Sequence, residues 1–155
     1  MLDGRTPQGG TLLDVGGGTG VGTDEAIRRA PSDAYARRIV LEPQRGMLER
    51  AARRQRGRSG PDLIRAEGSG LPFGDGTIDV LLSLGVLCCM TESTVAPAVS
   101  ELWRVLRPGG YCVVGVPKRW SEVSDPLFRT KGFRPVAQLR PGRTLYQRPG
   151  AIAAR

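Results

Sequence analysis

The chain has 155 residues, 39% of them hydrophobic and 25% charged, enough for one globular domain with a single core and too few for two ordinary ones. It holds no histidine, which excludes Ser-His-Asp hydrolysis and the common zinc sites, and no apolar run near the ~20 residues that cross a bilayer. A total of 23 Lys and Arg against 15 Asp and Glu leaves a formal charge of +8, compatible with an anionic partner such as RNA and also with coding bias or thermal adaptation that favours arginine.

Residues 1–10 are polar and glycine-rich, without the apolar core of a signal peptide, so a cytoplasmic location is expected. Residues 11–15 read as a buried strand that runs straight into glycines. Helical spacing follows over 21–30 and stops at Pro31. A second strand over 38–41 closes at Glu42 and Pro43. A charged helix over 46–56 ends in a Gly/Ser/Pro cluster, and 62–65 is a third short strand. Residues 78–83 are apolar on both faces, as a central parallel strand should be. A helix is expected over 95–106, with Val95, Val99, Leu102, Val105 and Leu106 along one side. The segment 107–110 reads as its stop, and 111–116 as the fifth strand. Residues 117–132 read as a short connector. An antiparallel hairpin is expected from 133–139 and 144–147 around the Pro141-Gly142 turn. Strand-helix alternation followed by a hairpin predicts an α/β fold. Its sheet is Rossmann-like and open, mostly parallel with a C-terminal antiparallel hairpin, with helices on both faces. The expectation is a single domain over 1–155, with a core at 10–118 and the hairpin within 132–148.

Asp14-x-Gly16-x-Gly18-x-Gly20 sits between a strand and a helix, with Gly17 inside it. Glycine allows the tight turn and lets a ligand approach the backbone without a Cβ clash. The helix behind it presents free N–H groups and a positive dipole end. A dinucleotide-binding turn looks much the same. Glu42 ends the second strand at about the ~20-residue distance expected of a carboxylate that accepts from ribose hydroxyls.

Further motifs carry a family resemblance. The run Leu12-Leu13-Asp14-Val15-Gly16-Gly17-Gly18-Thr19-Gly20 resembles the first motif of class I S-adenosylmethionine-dependent methyltransferases. Glu42-Pro43, followed at a fixed interval by Met47-Leu48, resembles the second. Residues 66–73 and 76–83 are similar to the third and fourth, and 101–116 to the helix, turn and strand that close the sheet. The resemblance covers roughly residues 10–118 and is nearest to the broad group with the quinone-biosynthesis enzymes. It implies S-adenosyl-L-methionine as cofactor and methyl transfer as the activity. By position it implies that Gly16, Gly18 and Gly20 pack under the methionine moiety and that Asp14 orients its amino group. It implies further that Glu42 binds the ribose while Pro43 and Met47 pack on adenine. Glu67, where the family usually has Asp, would accept from the adenine amino group, and the Gly68 N–H would face the ring. Ser83 and Leu84 would border the sulfonium. No catalytic base is implied.

The chain departs from that pattern in two places. Val86-Leu87-Cys88-Cys89-Met90 stands where many relatives carry two histidines, and buried structural cysteines are expected there. The Asn-Pro-Pro-aromatic signature of enzymes that act on glutamine or adenine amino groups is absent. About ten residues precede the first strand and the 117–132 connector is short, so the lid over the cofactor is expected to be minimal. Trp120 and Phe128 in that connector either floor an acceptor site or pack in the core. An open site favours a bulky acceptor, RNA or protein, or a partner chain that completes the pocket. That chain would be a second copy or an activating subunit. The alternatives are a small quinone-like acceptor and a non-catalytic cofactor-binding module. Residues Arg37, Arg38, Arg53, Arg54, Arg56 and Arg58 carry the RNA reading, provided that they share the cofactor's side of the molecule.

Overall fold

The computed structural model describes residues 7–57 and 59–150. Its strands are β1 (Gly10–Val15), β2 (Tyr35–Leu41), β3 (Asp62–Ile64), β4 (Ile78–Leu84), β5 (Leu106–Gly115), β6 (Arg134–Arg140) and β7 (Arg143–Gln147). The helices are α1 (Val21–Arg28), α2 (Arg45–Arg54), α3 (Glu92–Val105) and α4 (Lys118–Lys131). All strands join one sheet in the order β3-β2-β1-β4-β5-β7-β6. β1 to β5 are parallel, and β7 runs antiparallel to both β5 and β6. The chain moves outward from β1 through β2 to β3, then crosses back to place β4 on the other side of β1. Such a switch point opens a crevice at the carboxyl ends of the strands.

Side-chain alternation along the strands sorts the apolar residues into two layers. Leu13, Val15, Leu81, Cys112, Val114 and Tyr146 face one layer, where they bury Val95, Val99, Leu102 and Val105 of α3 and Phe128 of α4. Leu12, Val80, Leu82, Val113 and Leu145 face the other and cover Ala26 of α1. The strands expected from the apolar runs are therefore all present, buried on both faces in the middle of the sheet.

Two readings of the sequence are corrected. The connector expected at 117–132 is the 14-residue helix α4. Pro126 and the scattered charges hide its period, but Ser124 and Phe128, one helical turn apart, are its buried face. Phe128 is fully buried, stacked on Tyr146 at 4.7 Å and tilted against Phe133 at 4.9 Å, so it belongs to the core. Trp120 packs half-buried against the same cluster. The second correction concerns 107–110, which is part of β5. Ile78 pairs with Leu106 and Val80 with Tyr111, so Arg107 to Gly110 bulges out of the ladder. Gly109 and Gly110 then pair with the backbone of Arg148.

Candidate active site

The ends of β1, β2 and β3 are tied together by backbone hydrogen bonds before any side chain contributes. The amides of Gly16 and Gly17 both donate to the Leu41 carbonyl, and the amide of Glu42 donates to Ile64. This folds the glycine loop against the end of β2. Gly16, Gly18 and Gly20 all have positive φ, at 67°, 56° and 80°, which only glycine adopts without strain. They differ in what surrounds them. A Cβ on Gly16 would collide with the Val86 methyl groups, whereas one on Gly18 would meet nothing within 4 Å. Gly16 is thus closed in by the segment after β4, and Gly18 faces open space.

Glu42 stands opposite Gly18. Its side chain is buried, and each carboxylate oxygen accepts one backbone N–H: Oε2 from Gly18 at 3.1 Å and Oε1 from Gln44 at 3.0 Å. A carboxylate oxygen has two acceptor positions, so both oxygens keep capacity for further donors while their direction is already fixed. Pro43 beside it is exposed, and Met47, one turn into α2, is half-buried.

Asp14 lies beneath the loop, 2% exposed. Its Oδ2 accepts from the Thr23 hydroxyl at 2.7 Å, and the Thr23 backbone also bonds to it, in the first turn of α1. α1 has no side-chain cap of its own at Gly20, so Asp14 does that work from the preceding strand. Burial raises its carboxyl from 3.8 to about 6, against the lowering effect of the Thr23 bonds. The Asp14 carboxylate is also close to Gly22, where a Cβ would lie 3.2 Å from both Asp14 Oδ2 and Leu84 Cδ1.

Glu67 is exposed and Gly68 buried, in the loop that follows β3. Gly68 packs against Met90, whose Cε would be 3.0 Å from a Cβ there. The loop is held by one pair on α3. Glu101 accepts from the Leu71 amide at 2.7 Å, and Arg104 donates to the Leu71 and Phe73 carbonyls and to Asp75. Arg104 also forks onto both oxygens of Glu101, holding that carboxyl below its ordinary range. Ser83, next to last in β4, has its Oγ buried and without a hydrogen-bond partner among the described residues. Leu84 follows it half-buried.

The expected site residues, Asp14, the loop glycines, Glu42, Pro43, Met47, Glu67, Gly68, Ser83 and Leu84, thus gather at the carboxyl edge of neighbouring strands. Thr23, Val86, Met90 and Arg104 are added by the structure. Only Thr23 has a local signal, its place three residues after Gly20; the others act across long stretches of chain. The cysteines after β4 depart from expectation. Leu87–Cys89 is a short 3-10 turn with Cys88 half-buried and Cys89 exposed, both thiols directed at the Gly85 carbonyl; only Cys112 is buried. Among the described residues no group of His, Cys, Asp and Glu could hold a metal ion. No helix there is long and apolar enough to cross a membrane.

Residues 13–114 match the family model described as a methyltransferase domain. This chain belongs to the class I methyltransferase family. An uncharacterized methyltransferase of Mycolicibacterium gilvum is 38% identical over 111 residues, which cover 67% of this chain and 38% of that protein. The chain therefore spans about two fifths of the length of the curated relatives that it matches. Among solved structures, an S-adenosylmethionine-dependent methyltransferase from Aquifex aeolicus has a TM-score of 0.73 at 19% identity, covering 91% of this chain and 82% of that one. A Haloferax volcanii chain from a complex of the Trm112 methyltransferase activator with a methyltransferase also has a TM-score of 0.73. It is 17% identical, with coverage of 93% and 84%. At these identities the likeness is one of fold, and it covers about nine tenths of the chain.

Proposed function

We propose that this chain binds S-adenosyl-L-methionine across the ends of β1, β2 and β4 and directs its methyl group to an acceptor that arrives beside Leu84. The observation that carries this reading is the pairing of Glu42 with Gly18. A buried carboxylate, fixed by two amides with acceptor positions to spare, faces the one loop glycine that has open space before it. That arrangement suits a ribose diol. Gly16 and Gly20 would lie under the methionine moiety, with Gly17 turning the loop between them. Asp14, at the floor between Gly22 and Leu84, would accept from the amino group. Pro43 and Met47 would flank adenine, and Glu67 and the Gly68 amide would meet its polar edge. The orphaned Ser83 Oγ is a buried polar atom in want of a partner at this same edge.

The sulfonium, when bound, supplies an already activated methyl group, so the protein's part is to align donor and acceptor and to exclude water. Leu84 and Val86 give the edge the apolar cover that this requires. The two arguments for a bulky acceptor lose force. The expected short connector is a helix, and several of the arginines invoked for RNA have other work. Arg37 pairs with Asp62 and Arg54 with Asp24, and Arg37 and Arg38 lie before the buried carboxyl end of β2, Ile39 to Leu41, that leads into the crevice. Arg58 lies outside the described residues. An activating partner chain is a further component of the proposal, as in the Haloferax complex. Calorimetry with S-adenosylmethionine and transfer of a tritiated methyl group into cell extract test the reading together. Binding with transfer is the expected result; binding without transfer makes the chain a cofactor-binding module or a heterodimer subunit, and no binding overturns it.

A further inference from the structure

On the α1 side of the sheet a cavity of about 520 Å³ opens between the first turns of α1 and the β6–β7 turn, where Val21, Glu25 and Arg29 of α1 face Leu84, Leu139, Arg140 and Arg143. It adjoins the carboxyl edge of the sheet at Leu84, the last residue of β4. Leu84 touches the space over Gly22, where the Asp14 carboxylate also lies. Gly115, at the end of β5, shows the other side: a Cβ there would lie 3.0 Å from Leu84 Cδ2 and 3.6 Å from Arg143 Nε. The Arg143 guanidinium stem therefore runs over Gly115 to within one side chain of Leu84. Arg140 faces Arg143 across the turn.

The charges in this cavity do not balance. Glu25 is its one carboxylate, and it already pairs with both Arg28 and Arg29. Arg140 and Arg143 form no ion pair among the described residues, and Arg143 is half-buried. Burial, with Arg140 and Arg29 close by, lowers its affinity for its proton. A partly desolvated guanidinium with a second, exposed one beside it is unfavourable unless an anion comes between them. The volume falls in the range of small-molecule sites, and Val21, Leu84 and Leu139 form an apolar wall. A nucleic-acid strand would call for a longer basic stripe, and here Arg28 and Arg29 are answered by Glu25.

We propose that this cavity is the acceptor subsite and takes a small molecule with an apolar body and an anionic head, the head held by Arg140 and Arg143 and the body against Leu84 and Leu139. The inference rests on the reading of the neighbouring crevice as the methyl-donor site. Octyl phosphate, octanoate and neutral octanol are the probes, titrated by calorimetry with and without S-adenosylhomocysteine. The anionic probes are expected to bind at least about tenfold more tightly than octanol. Arg140→Gln with Arg143→Gln should remove that preference and leave S-adenosylhomocysteine affinity unchanged. Arg140→Glu, at an exposed position, should reduce anion binding on its own. Equal affinity for anionic and neutral probes overturns the proposal, as does an anion preference that survives both variants. An RNA oligonucleotide that binds more tightly than octyl phosphate through the same two arginines overturns it in favour of a nucleic-acid contact. Loss of S-adenosylhomocysteine binding by the wild-type chain strikes the donor reading instead, because the probe titrations without that ligand still report on the arginines.

Discussion

The ends of β1, β2 and β3 and the ends of β4, β5 and β7 form two halves of one crevice, and they are built on opposite terms. In the first half nearly every polar group has a partner inside the chain. Leu41 takes two amides, Glu42 takes two more, and Asp14 takes Thr23. In the second, Ser83 Oγ is orphaned and Arg140 and Arg143 stand without counter-charges among the described residues. Backbone amides and short carboxylates can be fixed by the strands that carry them, so the first half is rigid before a ligand arrives. Long cationic side chains on a hairpin turn cannot be fixed that way. The second half has no such internal fixing, and loop-borne positions of this kind can vary without changing the fold.

Substitution at Gly18 should break the first half most completely. Gly18→Val puts a branched side chain at φ 56°, where such residues are strained, and into the open space before Glu42. Calorimetry should then detect no S-adenosylmethionine binding; retained binding would remove the loop from the site. Glu42→Ala should weaken affinity by about 1–3 kcal/mol, since it removes a charged acceptor and frees the Gly18 and Gln44 amides. Arg104→Met lies outside the crevice and separates positioning from contact. It should cost about 1–3 kcal/mol of stability and speed hydrogen exchange over residues 67–77, with smaller effects on affinity.

Asp14 sharpens the comparison through pH. With its carboxyl raised from 3.8 to about 6, the free protein gains stability from this group fully below about 3.8 and loses it as the pH rises through about 6. A cationic amino group on the ligand favours the charged form. Affinity for S-adenosylhomocysteine should therefore be full above that pH and fall by up to about tenfold per unit below it. Asp14→Asn should flatten the profile. A wild-type profile already flat through this range would take Asp14 out of contact with the ligand. The smallest effect is expected at the cysteines. Cys88→Ser with Cys89→Ser should leave cofactor affinity unchanged, because their thiols turn back onto Gly85.

Most of the first half was legible in the chain itself. The glycines, Glu42 and the strands beneath them lie within local patterns whose period or spacing states their geometry. The helix α4 was not, because its buried face is Ser124 and Phe128 among charges and an interior proline, and only the Tyr146 and Phe133 rings opposite make it a face at all. The residues 107–110 carry a turn signal that is correct locally, yet the ladder on either side absorbs the turn as a bulge. The cysteines after β4 escape burial for a similar reason: a residue type's average burial says nothing about a turn that leaves the sheet.

By itself the sequence determined the alternation of strands and helices, the glycine loop and the carboxylate that answers it, since these depend on backbone conformation and on separations of a few residues. Which arginines are neutralised and which stand free was decided only by the tertiary structure. Arg54 meets Asp24 and Arg37 meets Asp62 across different elements, whereas Arg140 and Arg143 line a cavity beside Leu84 and form no ion pair among the described residues. Net charge is additive along a chain, but pairing depends on distance in space, and the sheet order that sets those distances is a property of the whole fold.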